Sequence, residues 1–338
     1  MIDAPTDPHQ KLMDMLQAPV VTQAVAVAAE LGIADLVTTA PRGVEELAER
    51  CDVDSDALYR VLRTLAATGV FDEVTPRVFG PTPMSEALRD GTEDSLRHWA
   101  RLWGIPERHT AIGALLYSVR TGRPSFPYLH GTDWWAFLAA NPGPASIFAA
   151  AMGDLSRRLH AATVDAYDLS AAKTLVDIGG GHGHLVATLL RRYPDLRATV
   201  LDRPEVVRHA SDVVSRAGVA DRTQLVGGDF FTSIPDRADV YLMSMIMHDW
   251  NDDEASRILA TVRRAMTRDS ELLIVDAVIP DGQEPHDGKP RDLIMLTMLT
   301  GRERTEAQYA ALLAGAGMRL REIRAVASST GLLVAVPQ

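Results

Sequence analysis

Apolar residues in the first part of the chain recur every three to four positions. From 9 to 37, Leu12, Met15, Leu16, Val20, Ala24, Val27, Ala28, Leu31 and Ile33 keep that spacing, with almost no charge between Thr22 and Ala29. A helix patterned this way is apolar nearly all round, so it needs cover on more than one side, from the rest of the chain or from a second subunit. From 41 to 89 the periods shorten: two brief helical patterns, the second capped by Asp54 or Ser55, precede Gly-Val-Phe at 69–71 and Val-Phe-Gly at 78–80. That order predicts a winged helix-turn-helix. Residues 93–170 are again helical and carry Trp99, Trp103, Trp134, Trp135, Phe137, Phe148 and Met152. For any single aromatic a core position is the simpler reading; some of them lining a pocket for a flat apolar ligand is the sharper one.

Beyond Lys173 the period changes. Strands are predicted at 174–178, 198–202, 223–227, 238–244, 271–276, 318–326 and 331–336, with helices at 183–193, 204–217, 253–267 and 305–316 between most of them. Strand and helix in alternation predict an α/β fold, a doubly wound and mostly parallel sheet. The last two strands are too close for a crossover helix and should pair as an antiparallel hairpin.

The 338 residues exceed the usual span of one domain. No apolar run is expected to reach the length of a membrane span, and the start Met-Ile-Asp-Ala-Pro-Thr-Asp-Pro lacks the pattern of a signal peptide, so a cytoplasmic location is expected. The single Cys51 rules out an intrachain disulfide and a cysteine-built zinc site. A formal charge of −11 argues against nucleic acid as the main partner. The winged-helix segment sharpens this point: residues 44–70 hold Glu45, Glu46, Glu49, Asp52, Asp54 and Asp56 against Arg50, Arg60 and Arg63, a net −3 where DNA recognition wants the opposite sign.

Ligands of an open α/β sheet sit beyond the carboxyl ends of the strands. There the chain places Asp177 and the loop Gly179, Gly180, Gly181, Gly183; then Asp202; then Asp229 and Phe230; then Ser244 through Trp250. An acid after the second strand suits ribose hydroxyls, but it serves nicotinamide and adenosyl cofactors alike. The glycine spacing discriminates better, because a dinucleotide fingerprint needs a sixth-position Gly or Ala and His184 stands there instead. Two histidines, His182 and His184, lack a third ligand for zinc, so no metal is expected. The acidic run Asp252, Asp253, Glu254 is most simply the first turn of a helix capped by Asn251. His98, His109, His130, His160, His209 and His286 show no partner in sequence.

Residues 174–232, the run His-Asp-Trp-Asn-Asp-Asp-Glu at 248–254 and Gly-Arg-Glu-Arg-Thr at 301–305 resemble the S-adenosylmethionine-dependent small-molecule O-methyltransferases, the plant phenolic and bacterial polyketide-tailoring type. The resemblance covers nearly the whole chain. It implies a winged-helix dimerisation domain at 1–92, a helical linker and substrate-pocket region at 93–170 and a cofactor-binding domain at 171–338. It further implies a homodimer, S-adenosyl-L-methionine as cofactor and a small-molecule substrate. Gly179, Gly181 and Gly183 would pass beside the methionine part with Asp177 beneath; Asp202 would hold the ribose, Asp229 the adenine amine and Phe230 the adenine face. His248 matches the catalytic base and Glu303 the carboxylate that orients it. Ser244 stands where many relatives have Lys, and Asp276 where relatives often carry the longer Glu, which leaves its reach open. Met152, Asp249, Trp250, Met295 and Met298 are the substrate-side candidates, although Met295 and Met298 also read as core.

The chemistry supports the assignment independently. Methyl transfer from a sulfonium is an in-line displacement, so the protein must align two reactants and remove one proton. A phenol with a pKa of about 10 needs a base, and a histidine held by a carboxylate supplies one. The acceptor atom, oxygen, carbon or nitrogen, stays open at this stage, as do diversion of the scaffold to another tailoring reaction and a ligand-responsive DNA-binding regulator.

Overall fold

A computed structural model describes residues 7–92, 94–235, 237–327 and 329–338; the six residues at the start, part of the stretch on which the signal-peptide reading rested, lie outside them. The chain forms two compact units. One comprises the residues up to His109 together with Trp135–Leu155, the other Thr110–Trp134 together with Ser156–Gln338. The segment 93–170 is thus divided between the two.

In the first unit the apolar pattern of 9–37 is not one helix. It forms Pro8–Glu30 and then the short Ile33–Leu36, because Gly32 takes a left-handed φ of 65° and ends the ladder. The long helix buries Ala24, Ala26, Ala28 and Ala29 but leaves Leu12, Met15, Leu16 and Val20 exposed. By length and composition alone it is apolar enough to cross a membrane, which corrects the expectation that no run would reach that length. The helices Val44–Cys51 and Ser55–Ala67 follow, the latter capped by Asp54, whose carboxylate accepts the Ala57 N–H at 2.7 Å. Three short antiparallel strands, β1 (Arg42–Gly43), β2 (Asp72–Thr75) and β3 (Val78–Gly80), make the wing in the order β1-β3-β2. Ile33, Leu47, Leu62, Leu65, Phe71 and Phe79 close the core.

The second unit holds a seven-stranded sheet in the order β6-β5-β4-β7-β8-β10-β9. Its strands are β4 (Thr174–Ile178), β5 (Arg197–Asp202), β6 (Thr223–Gly227), β7 (Val240–Ser244), β8 (Glu271–Ala277), β9 (Met318–Ala327) and β10 (Thr330–Pro337). The first five pair in parallel, and β10 inserts antiparallel between β8 and β9. Alternate residues feed two faces. Val176, Ile178, Tyr241, Met243, Leu272, Ile274 and Leu333 pack under the helices Asp252–Ala265 and Glu306–Gly315, while Leu175, Val200, Leu242, Leu273, Val275 and Leu332 pack under His184–Arg192 and Ala210–Arg216. The helix expected at 204–217 is two pieces, Pro204–Val207 and Ala210–Arg216, where the hydrogen bond from His209 N–H tightens to the Val206 carbonyl three residues back. β7 starts later than expected: the Asp239 carbonyl already accepts the Glu271 N–H, but its own N–H goes to the Thr174 hydroxyl, while its carboxylate accepts from Lys173 N–H, Thr174 N–H and the Thr174 hydroxyl.

Strand order reverses between β4 and β7, so a crevice opens beyond their carboxyl ends. The β8–β10 pairing fixes the wall of that crevice, with Asp276 opposite Gly331. Leu333, fully buried next to it in the core, tests how much the site leans on this pairing: Leu333→Ala should lower stability in urea unfolding by about 2–5 kcal/mol, and a smaller loss would show that the hairpin contributes little.

Candidate active site

The glycine loop leaves β4 with left-handed φ at Gly179 (72°), Gly181 (57°) and Gly183 (74°), and the helix His184–Arg192 starts directly behind it. A Cβ on Gly179 would lie 2.5 Å from Ile246 Cδ1, and one on Gly180 would lie 2.6 Å from Asp177 Oδ2. Asp177 therefore sits buried beneath the loop, and no donor among the described residues bonds its carboxylate. Burial first, and then the neighbouring Asp202, raise it to about 7. At the end of β5, Asp202 accepts the Gly181 N–H at 2.8 Å and the Arg203 N–H at 2.7 Å; burial still pushes it upward against those bonds. One lone pair on each oxygen is used, which leaves the carboxylate room for hydroxyl donors. Asp229 is exposed and closes its own turn, accepting from Phe231 N–H and the Thr232 hydroxyl. Phe230 lies beside the loop, its Cε1 3.7 Å from the position of a Gly179 Cβ, and meets Trp250 edge-on at 5.9 Å.

On the other side of the crevice β7 ends at half-buried Ser244, and Met245 turns the chain out with a φ of 56°, its N–H held by the Val275 carbonyl at 2.8 Å. A left-handed φ on a residue with a side chain is strained and persists only where surroundings over-determine it. The turn delivers the one-turn helix Met247–Asp249. His248 on it is 6% exposed. Its Nδ1 lies 2.8 Å from Asp276 Oδ1 and 3.5 Å from Glu303 Oε1, and its Nε2 lies 3.4 Å from Asp249 Oδ1. The Asp276 contact is off the N–H axis and works as an ion pair rather than a straight hydrogen bond. Asp276 also accepts the His248 backbone N–H at 3.1 Å. The shorter acid therefore reaches the imidazole after all, and comes closer to it than Glu303 does.

Burial alone would strip the proton from His248, but Asp276 and Asp249 outweigh it and raise the imidazole well above its ordinary value. In return, and against its own burial, Asp276 is held down by the His248 charge. Asp249 rises to about 7, first because it is buried and despite the pull of His248. Glu303 has both oxygens buried; Arg291 Nε stands 3.2 Å from Oε1. Among the described residues, His248, Asp276 and Glu303 alone have the spacing of a metal-binding group. A cation there would have to displace the Arg291 guanidinium, so the arrangement suits proton chemistry better.

Three residues of this site had no role in the sequence reading. Arg304, fully buried, donates to the Met247 carbonyl at 2.8 Å, the Trp250 carbonyl at 2.7 Å and Asp252 Oδ1 at 2.9 and 3.0 Å, so it clamps the whole His248 turn. Gly301 passes so close that a Cβ would fall 1.9 Å from the His248 carbonyl oxygen. Ile246 presses on the glycine loop. The acidic run after Asn251 was a partial signal for the first of these: Asn251 and Glu254 do form a capping box, and Asp252 is left to meet Arg304.

Of the substrate-side candidates, Trp250 packs edge-on against Phe231 at 4.8 Å, Met298 is buried and Met295 half-buried on the helix Gly288–Met298, and Met152 is half-buried in the first unit. The histidines left without partners find them: His98 with Asp154, His109 with Gln23, His130 with Thr110, His209 with Arg208 and His286 with the Gly288 N–H. Near the loop, His182 lies 5.4 Å from the His209 ring and 6.4 Å from that of His184, and burial followed by the charge of His184 lowers His160 to about 4.

Residues 113–319 match the O-methyltransferase domain, and residues 13–90 match the O-methyltransferase dimerisation domain. The chain belongs to the O-methyltransferase family. One relative of this O-methyltransferase is the phenazine O-methyltransferase PhzM of Lysobacter antibioticus, 42% identical over 96% of this chain and 95% of its own. Another, the aclacinomycin 10-hydroxylase RdmB of Streptomyces purpurascens, is 34% identical over 96% of this chain and 90% of its own. The solved structure of NcsB1, an O-methyltransferase from neocarzinostatin biosynthesis in complex with S-adenosylmethionine and 2-hydroxy-5-methyl naphthoic acid, superposes with a TM-score of 0.86 at 31% identity, covering 99% of this chain and 100% of that one. The turn that carries His248 is testable through Gly301: Gly301→Ala should lower kcat by about 10–100-fold with an unchanged circular-dichroism spectrum, and a wild-type kcat would show that the turn tolerates displacement.

Proposed function

We propose that this O-methyltransferase transfers the methyl group of S-adenosylmethionine to a hydroxyl of an aromatic or polyketide-type small molecule, with His248 as general base. One observation carries the reading: a buried imidazole, pinned through Nδ1 by Asp276 and Glu303, lies beyond the end of β7, while Ile246 of the same turn touches the glycine loop. The loop side fits the cofactor. Asp177, buried without a donor, suits an ammonium group; Asp202 suits a ribose diol; Phe230 offers a ring face; and the space at Gly181 is open, with nothing within 4 Å of a Cβ position. When bound, S-adenosylmethionine supplies a methyl group already activated on a positively charged sulfur. The protein's part is to orient the acceptor and take its proton.

Asp276 holds the proton on Nδ1, which leaves Nε2 as the atom that receives one. The carboxylates around the ring make His248 a stronger base than free imidazole, closer to a phenol of pKa about 10. The cost is that the ring is protonated over more of the pH range. His248 works deprotonated, so kcat/KM should rise with pH through a midpoint above 6.5, and Asp276→Asn, which removes the charge that raises it, should move that midpoint down. An unmoved midpoint would remove Asp276 from this role. His248→Ala should abolish methylation of a hydroxylated aromatic panel while the affinity for the cofactor stays within about two-fold, whereas Asp202→Ala should weaken the cofactor first; retained turnover in His248→Ala would end the general-base reading. Because one relative is a hydroxylase, the products are best weighed by mass, which separates a gained CH2 from a gained oxygen.

The dimerisation match and the exposed Leu12, Met15, Leu16 and Val20 support a homodimer. Leu16→Glu combined with Val20→Glu should sediment as a monomer; a persistent dimer would place the interface elsewhere.

A further inference from the structure

The helix Pro106–Gly113 carries a side chain that the active site leaves unused. Arg108 is 4% exposed, yet none of the described carboxylates pairs with it, and its Nη1 has no hydrogen-bond partner. Its guanidinium lies over the Trp103 ring, 4.1 Å from the centroid, and 6.0 Å from that of Trp99; the two indoles meet edge to face at 6.3 Å. Asp154, a buried acid of the same unit, is engaged with His98 at 2.8 Å. Burial pulls Arg108 down to about 10.

A buried charge is normally paired, and a buried donor is normally bonded. A guanidinium stacked on an indole keeps its N–H edge in the plane of the fork, where it matches the two oxygens of a carboxylate. We propose that Arg108 is the anion-recognition residue of a site in the first unit that takes a planar aromatic carboxylate, its carboxylate on the guanidinium edge and its ring against Trp99 and Trp103. The site is independent of the methyl-transfer reading. Lysine would not substitute, because it offers a point charge without the fork.

The test is a titration of the full chain with benzoate, followed by tryptophan fluorescence. Benzoate should give a saturable change that the neutral benzamide does not, and the affinity should fall roughly ten-fold or more in Arg108→Met and by an intermediate factor in Arg108→Lys. Trp103→Phe should remove most of the fluorescence response. Arg108→Met should melt no lower than the wild type, because it removes an unpaired buried charge. Equal benzoate affinity in Arg108→Met, equal binding of benzamide, or a marked fall in Tm would each overturn the proposal. So would loss of self-association in Arg108→Met without any benzoate effect, since the acid would then come from a second copy of the chain.

Discussion

A positive imidazole cannot be buried alone, and the second unit is arranged around that constraint. At 6% exposure, His248 would be neutral by desolvation if nothing opposed it. Asp276 opposes it at the ring and also accepts the His248 backbone N–H, so the charge and the position of the turn share one origin. The surplus of acid is then balanced locally. Arg291 stands against Glu303, Arg304 takes Asp252 and two carbonyls of the turn, and Asp249 rises to about 7 so that it need not stay ionised. Removing one partner of such a set leaves the others buried and uncompensated, which is why these contacts matter more than exposed ion pairs of equal length.

The sheet was legible because its signals are local. Apolar runs at β4 and β7, glycines after β4 and acids at strand ends can all be read from neighbouring positions, and they put Asp177, Asp202 and His248 at the carboxyl ends of neighbouring strands. The break at Gly32 was missed because an apolar period runs straight through it and only its left-handed φ shows the interruption. The apolar reach of Pro8–Glu30 was underrated for a related reason: scattered Gln10, Lys11 and Asp14 conceal how apolar the rest of the helix is.

What was not legible depends on distance through space. Sequence gives the length of Asp276 but not the backbone N–H that comes to meet it, so its reach could not be judged. Arg304 looked like part of a run of charges; burial of its guanidinium follows only once the segment at 303–304 pairs alongside the end of β8, with Ile279 N–H bonded to the Arg304 carbonyl at 3.0 Å. Gly301 is needed for what it lacks, and that appears only when the His248 carbonyl occupies the place of its Cβ.

The glycine loop and the turn that carries His248 are separate in sequence, yet their electrostatics ask for the same conditions. Asp177, raised to about 7, attracts a cation only when ionised, and below that value it is neutral. His248 accepts a proton only when it has lost its own, and its surroundings move that loss upward. On the proposed reading, falling pH therefore weakens cofactor binding and disarms the base together, while rising pH restores both. Both shifts are upward but their causes differ: burial makes the acid hold its proton, whereas the carboxylates of Asp276 and Asp249 make the imidazole hold its own against burial. Ile246, seated between the loop and the turn, is the packing contact through which the two halves keep a common geometry.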